Sequence, residues 1–249
     1  MQVRILGFAL SYLSYGRFIL IHEEFRCEFY FIRHGQSESN ATPGMAGGAN
    51  FDAPLTIIGQ KQAVLVGERF FRDKVDFDRI YSSSLTRTVQ TSRGMLEGMK
   101  QPDREFKQVD AIIEQQVKGW RGVTTKEAFT PEVDRYRALK GKDFVGPDGE
   151  SIREVQRRAV NWLEDEFIYN RELCSGPVSL RVAIIGHGNT SRALFQHIMG
   201  FDERMILRLG IDNTSISRFV FDRGGWSVVC LNDSSHLPRE TSGTFEIRT

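Results

Sequence analysis

The chain has 249 residues, with 33 Lys and Arg against 32 Asp and Glu, a formal net charge of +1. That length suits one large domain or two small ones with a sizeable core, and the near-zero charge excludes the basic excess expected of a nucleic-acid binder. Three cysteines, Cys27, Cys174 and Cys230, are too widely spaced for a disulfide framework or a zinc site, which points to a reducing, cytoplasmic setting.

Residues 1–26 read as an N-terminal extension. The uncharged stretch from Ile5 to Gly16 is too short to span a bilayer. It is similar to a weak signal-peptide core but has no small-x-small cleavage site, so a targeting segment stands as the alternative to an extension packed on the domain. No other stretch reaches transmembrane length, and no membrane partner is expected. Next, Phe29-Tyr30-Phe31-Ile32 predicts a short, fully buried strand. It stops on Arg33, His34 and Gly35, where an open α/β sheet binds its ligands. Gly35 permits a close backbone approach or positive φ. Ser37, Ser39 and Asn40 supply short donors and a helix N-cap. Taken alone, the Arg-His-Gly triplet reads equally well as strand-end surface.

Ala41 to Asp52 (ATPGMAGGANFD) reads as a mobile loop. Thr56 caps a helix running to about Phe71, with the Phe70-Phe71 pair assigned to the core. Asp78 to Ser83 is a second short strand. Ser84 caps the following helix, with Leu85, Val89 and Leu96 at helical spacing. Val109 to Ile113 is a third strand ending at Glu114. Lys118 to Pro147 is polar and holds one helix, Pro131 to Lys140. Ser151 and Glu154 form a capping box opening a helix with Ile152, Val155, Ala159, Leu163 and Phe167 inward. Val182 to Ile185 is another buried strand, ending on Gly186-His187-Gly188. Thr190 to Met199 is a helix stopped by Gly200. Ser215 to Phe221 and Trp226 to Leu231 flank Asp222-Arg223-Gly224-Gly225, a hairpin turn. The tail from residue 239 is polar. The pattern predicts a three-layer α/β/α sandwich with a mostly parallel sheet and an antiparallel edge. It forms a single domain over 27–238, and no sequence feature sets an oligomeric state.

Two strands therefore end in histidine-glycine. A metal site competes weakly with catalysis, because no carboxylate lies at ligand spacing from either histidine, and no metal or cofactor is expected. His236 reads as structural, and His22 and His197 have no supporting context.

RHGQSESN resembles the Arg-His-Gly signature of the histidine phosphatase superfamily, the group that includes cofactor-dependent phosphoglycerate mutase. DAPLTIIGQKQA, YSSSLTRTVQTS, IIEQQVKGWRG, IIGHGN and VVCLNDSSHL fit the family's further motifs in order, over about Glu28 to Leu237. The resemblance implies a phosphoglycerate mutase-like fold and a small phosphorylated substrate. It implies His34 as nucleophile, Arg33 and Arg87 as the phosphate clamp, Asn40 as a further donor, His187 as a phosphate ligand in imidazolium form, and Glu114 as proton donor. Each has a plainer reading: Arg87 as a helix-surface cation, Asn40 as a cap, Glu114 as a solvated loop acid with Asp110 nearby.

Mutases of this family carry a Glu-Arg-His-Tyr-Gly-type segment after the acid. Here Glu114 is followed by Gln115-Gln116-Val117-Lys118-Gly119-Trp120, which resembles the phosphatase branch loosened by one residue. The expectation is a metal-independent phosphomonoesterase; a mutase and a non-catalytic binding module are the alternatives. Lys118 and Arg121, flanking Trp120, form either a solvated loop or a secondary anion site. Specificity is expected in Ala41–Asp52 and Lys118–Pro147.

Overall fold

Alternation along the first strand, β1 (Arg26–Arg33), divides the core. Phe29 and Phe31 face one side and Tyr30 and Ile32 the other, and all are buried. A strand apolar on both faces must be covered on both, which requires helices above and below the sheet. The computed structural model describes residues 21–42, 44–46 and 52–238; the start of the N-terminal extension, the middle of the glycine-rich loop and the tail from residue 239 lie outside the described residues. After β1 come α1 (Glu38–Ala41), α2 (Ile57–Arg72), β2 (Arg79–Ser82), α3 (Thr86–Gly98) and β3 (Lys107–Gln108). Then follow α4 (Thr125–Ala128), α5 (Pro131–Lys140), α6 (Ile152–Leu163), α7 (Arg171–Cys174), β4 (Ser179–Gly186), α8 (Gly188–Met199), β5 (Ile216–Asp222) and β6 (Gly225–Asp233).

The sheet order is β3-β2-β4-β1-β5-β6. β1, β2, β3 and β4 run parallel, while β5 and β6 form the antiparallel edge. α2 and α3 cover the Tyr30–Ile32 face through Val66, Phe70, Met95 and Leu96. α6 and α8 cover the other, where Ala159, Val160, Leu163, Leu194 and Phe195 meet Phe29 and Phe31. The result is the expected α/β/α sandwich. Thr56 and Ser151 cap α2 and α6, and Gly200 ends α8 in the left-handed region at φ 65°. Cys27, Cys174 and Cys230 are free. Among the described residues no helix is long and apolar enough to cross a membrane.

Four local expectations are corrected. The third strand is only Lys107–Gln108, because its sole neighbour among the described residues, β2, ends where Ser82 pairs with Gln108; the chain then turns through a 3-10 helix, Asp110–Ile112. Ser84 does not cap α3. Its hydroxyl donates to Asp110, and Asp52 instead accepts from the Thr86 N–H at 2.7 Å and the Thr86 hydroxyl at 2.8 Å. Phe71 is 58% exposed beside a buried Phe70, since one residue along a helix turns the side chain about 100° away. Gly35 is not in the positive-φ region. A Cβ there would stand 2.4 Å from the Gly59 carbonyl oxygen, and one on Gly59 would stand 2.0 Å from that of Gln36. The two glycines let the exit of β1 lie directly on the first turn of α2, where Thr56 N–H donates to Gln36 O at 2.9 Å.

Because both contacts are with backbone, neither side can give. Gly59→Ala is expected to destabilise the fold by about 1–3 kcal/mol or more, the usual cost of overpacking. Urea denaturation measures it, and an unchanged midpoint would contradict the crossing.

Candidate active site

β1 and β4 pair in parallel with Arg33 opposite Gly186, so both strands end at one level. His34 and His187 follow immediately. The His34 N–H donates to Gly186 O at 3.0 Å, and the two rings lie 5.3 Å apart, both fully enclosed. On the β5 side, Thr214, at φ 53°, donates its N–H to Arg33 O at 3.0 Å, and the Asn213 amide donates to His34 O at 2.9 Å. A non-glycine residue held in the left-handed region marks backbone constrained by its surroundings.

A hydrogen bond to a carbonyl fixes the tautomer of His34. His34 Nδ1 lies 2.7 Å from the Gly35 carbonyl oxygen, which can only accept, so Nδ1 carries the proton and Nε2 keeps its lone pair. Arg87 Nε donates toward that lone pair at 3.2 Å. His187 Nε2 lies 2.8 Å from Ser83 Oγ, while its Nδ1 is buried and meets no partner among the described residues; the same is true of Arg33 Nε. Burial, then the guanidiniums of Arg87 and Arg33, push the His34 pKa well below the ordinary value. Burial, then Arg87, His34 and Arg33, do the same to His187. Both rings are therefore neutral at pH 7. Desolvation beside guanidiniums thus weighs against the imidazolium expected at His187 as long as no anion is seated there.

Arg33, buried enough to bring its pKa down to about 10, donates Nη1 to Ile211 O at 2.6 Å. Arg87 enters from the first turn of α3 and is 3% exposed, far from a surface cation. Glu114 is also buried. Its carboxylate accepts from the N–H groups of Gln115 at 2.9 Å, Asn189 at 3.2 Å and Thr190 at 3.2 Å, so it sits on the N-terminus of α8. A methyl placed on Gly188 would lie 3.2 Å from Arg192 Nη1, 3.8 Å from Arg33 Nε and 3.9 Å from Glu114 Oε2, so these three groups face one small space.

The structure thus brings Arg33, His34, Arg87, Glu114 and His187 together. Asn40 stands at their edge. Its side-chain oxygen accepts from the Ser37 N–H at 3.3 Å and from Asn213 at 3.4 Å, completing a capping box. Lys118 and Arg121 are exposed on the turn beyond the acid, outside the buried cluster. The glycine-rich loop is not free where it is described: Ala46 N–H donates to Val123 O at 2.9 Å and Thr125 N–H to Gly44 O at 2.6 Å. Sequence reasoning missed Ser83, Arg192 and Asn213, each of which reaches the cluster from another element. Ser83 alone had a visible signal, as a hydroxyl at a strand end. Among the described residues, no three His, Cys, Asp or Glu side chains gather as metal ligands.

A neutral imidazole lone pair among guanidiniums and unpartnered donors suits an anionic, electrophilic group. The comparisons agree on the class. The family model for the histidine phosphatase superfamily (branch 1) matches residues 29–234, and the chain belongs to that family. It is 29% identical over 211 residues to a 2,3-bisphosphoglycerate-dependent phosphoglycerate mutase of Neisseria meningitidis, covering 74% of this chain and 90% of that protein. The corresponding Treponema pallidum mutase is also 29% identical, covering 72% and 81%. Among solved structures of the same fold, phosphoserine phosphatase of Entamoeba histolytica with bound 3-phosphoglyceric acid superposes with a TM-score of 0.70 at 24% identity, over 85% of this chain and all (100%) of that one. Mycobacterial glucosyl-3-phosphoglycerate phosphatase gives 0.68 at 23% identity, over 84% and 100%.

The buried histidines have a consequence for stability. In the unfolded chain they bind protons below about pH 6.5, whereas folded they do not until far lower. Stability is therefore full above about pH 6.5 and falls as pH drops below it, by up to ~1.4 kcal/mol per pH unit for each group. Urea titrations between about pH 7 and pH 5 should show a shallower fall in His34→Gln and His187→Gln than in the native protein. Parallel slopes would contradict the assignment.

Proposed function

We propose that this protein is a phosphomonoesterase working through a phosphohistidine on His34. What carries the reading is the His34 Nε2 lone pair, exposed by the Nδ1–Gly35 hydrogen bond and flanked by Arg87. Neutral imidazole is a competent nucleophile at pH 7. A phosphoryl group takes the place of the Arg87–Nε2 contact, and Arg87 turns its donors to the phosphoryl oxygens. Arg33 Nε and His187 Nδ1, both without partners among the described residues, complete the set. Phosphoryl transfer needs chiefly such positioning and charge stabilisation, and planar guanidinium forks supply both. In the first step the Nε2–P bond forms, the ester P–O bond breaks, and the protonated Glu114 gives its proton to the leaving oxygen. In the second, Glu114 takes a proton from water, whose oxygen displaces His34. Transfer of this kind is worth roughly 10²–10⁴-fold. Asn40 adds a neutral donor at the rim.

A second reading, a phosphoglycerate mutase, is favoured by the 29% identity to bisphosphoglycerate-dependent enzymes over 90% of their length. The residues after the acid weigh against it. Gln115 is spent between Glu150 O at 2.9 Å and the Asn189 amide at 3.1 Å, so it does not reach toward a substrate. A mutase must hold a bisphosphorylated intermediate away from water, and the arginine, histidine and tyrosine that would do so are missing from this segment.

Incubation with a phosphomonoester panel, chelator included, should release phosphate, and alkaline quenching should trap phosphate on His34. His34→Ala should lose at least ~10³-fold in kcat, as loss of a covalent nucleophile does. Near-normal turnover by that variant would remove the assignment. A binding module would release no phosphate from any ester.

The two enzymatic readings separate on 3-phosphoglycerate with and without catalytic 2,3-bisphosphoglycerate. Phosphate release exceeding isomer formation is expected. Isomerisation outrunning phosphate release, and only with the bisphosphate present, would establish the mutase.

A further inference from the structure

The head of Glu114 is held by α8, and its backbone is also held by Arg158 and Glu150, which form no hydrogen bond to either histidine; Arg158 reaches His187 only through its charge. Arg158, on α6, donates Nη1 to Ala111 O at 2.7 Å and Nη2 to Glu114 O at 3.2 Å. The same guanidinium forms a two-pronged ion pair with Glu150, Nε to Oε2 at 3.0 Å and Nη2 to Oε1 at 2.7 Å. Glu150 in turn accepts from the Gln116 N–H at 3.0 Å through Oε1, and its own N–H donates to Gln116 O at 2.7 Å. Its carbonyl takes the Gln115 side chain at 2.9 Å. The pair is largely enclosed, with side-chain exposures of 22% and 18%. Every polar atom of the Arg158–Glu150 pair described above is thus spent on the acid loop or on the pair itself. A lysine could not reproduce this, since the pattern uses the planar fork of arginine.

We propose that Arg158 and Glu150 are positioning residues that set the Glu114 carboxyl against the leaving-group oxygen. Two supports act on the acid: α8 holds the carboxylate and, from the Thr190 hydroxyl at 2.7 Å, the Ile113 carbonyl, while the Arg158–Glu150 brace holds the main chain at 111, 114 and 116. With the brace gone, the loop is free to move about the α8 contact, and proton transfer is sensitive to such shifts. Misplacement by about 1 Å costs up to ~10²-fold. The inference rests on the phosphatase reading above.

The test uses leaving groups. kcat/KM reports the steps through P–O cleavage and is untouched by hydrolysis of the phosphohistidine. A 2,4-dinitrophenolate leaves without a proton, whereas an alkoxide needs one. Arg158→Ala should lower kcat/KM about 30- to 100-fold on an alkyl phosphate and less than about threefold on 2,4-dinitrophenyl phosphate, the same bias shown by Glu114→Gln. Arg158→Ala/Glu114→Gln should be no slower on the alkyl phosphate than Glu114→Gln alone, the result expected when the brace works through Glu114. Glu150→Gln, which keeps the shape, should show a smaller loss with the same bias and serves if the alanine variant does not fold. Equal losses on both substrates, additive losses in the double variant, or no loss would each overturn the brace. If the native protein cleaves neither ester, the phosphatase reading itself fails, a result distinct from any of these.

Discussion

Everything in the site depends on two parallel strands ending at the same level. Pairing Arg33 with Gly186 makes the next residue of each strand a histidine, enclosed between two helical layers. A shift of one residue in that register would turn one imidazole to the opposite face of the sheet. The rings stand 5.3 Å apart, and the flanking strands β2 and β5 hold β4 and β1 from outside. The family's chemistry is thus anchored in hydrogen-bond register, and the arginines and the acid are arranged around it.

The arrangement is electrostatically one-sided. Arg33, Arg87 and Arg192 lower one another's or the histidines' basicity through burial and repulsion, and Glu114 is the principal opposing charge. Such a cluster is stabilised by a dianion seated among its donors. Neutral histidines are part of the same balance. A fourth and fifth positive charge in so small a volume would add repulsion of several kcal/mol even at an effective dielectric of about 20.

How far this was legible in the sequence follows from how each residue reaches the site. Arg33 and His34 lie within one strand-end signature, His187 within another, and Arg87 in a strand-helix motif, so local patterns located them. The brace did not show, because Arg158 reads as one more polar residue of an amphipathic helix and Glu150 as the residue before a capping box; their meaning lies in the 110–116 loop that they grip. The misread elements have the same origin. Val109 to Ile113 has the composition of a strand, but beyond the bond from the Val109 N–H to Ser82 O at 2.8 Å it meets no strand among the described residues. The cap of α3 comes from Asp52, 34 positions earlier, in place of the adjacent Ser84. Gly35 was rightly singled out, but the tight neighbour is the backbone of Gly59.

The contact between residues 44–46 and 123–125 bears on how this chain could change its preferences. One of these segments departs from the site after Asn40, the other after Glu114, and the Met45–Thr124 bridge fastens them into one piece. The two distant stretches of sequence thus make one surface. Lengthening or regrafting one stretch alone breaks the seam, so transplanting a loop from a relative would carry over that relative's shape only if its partner segment came with it.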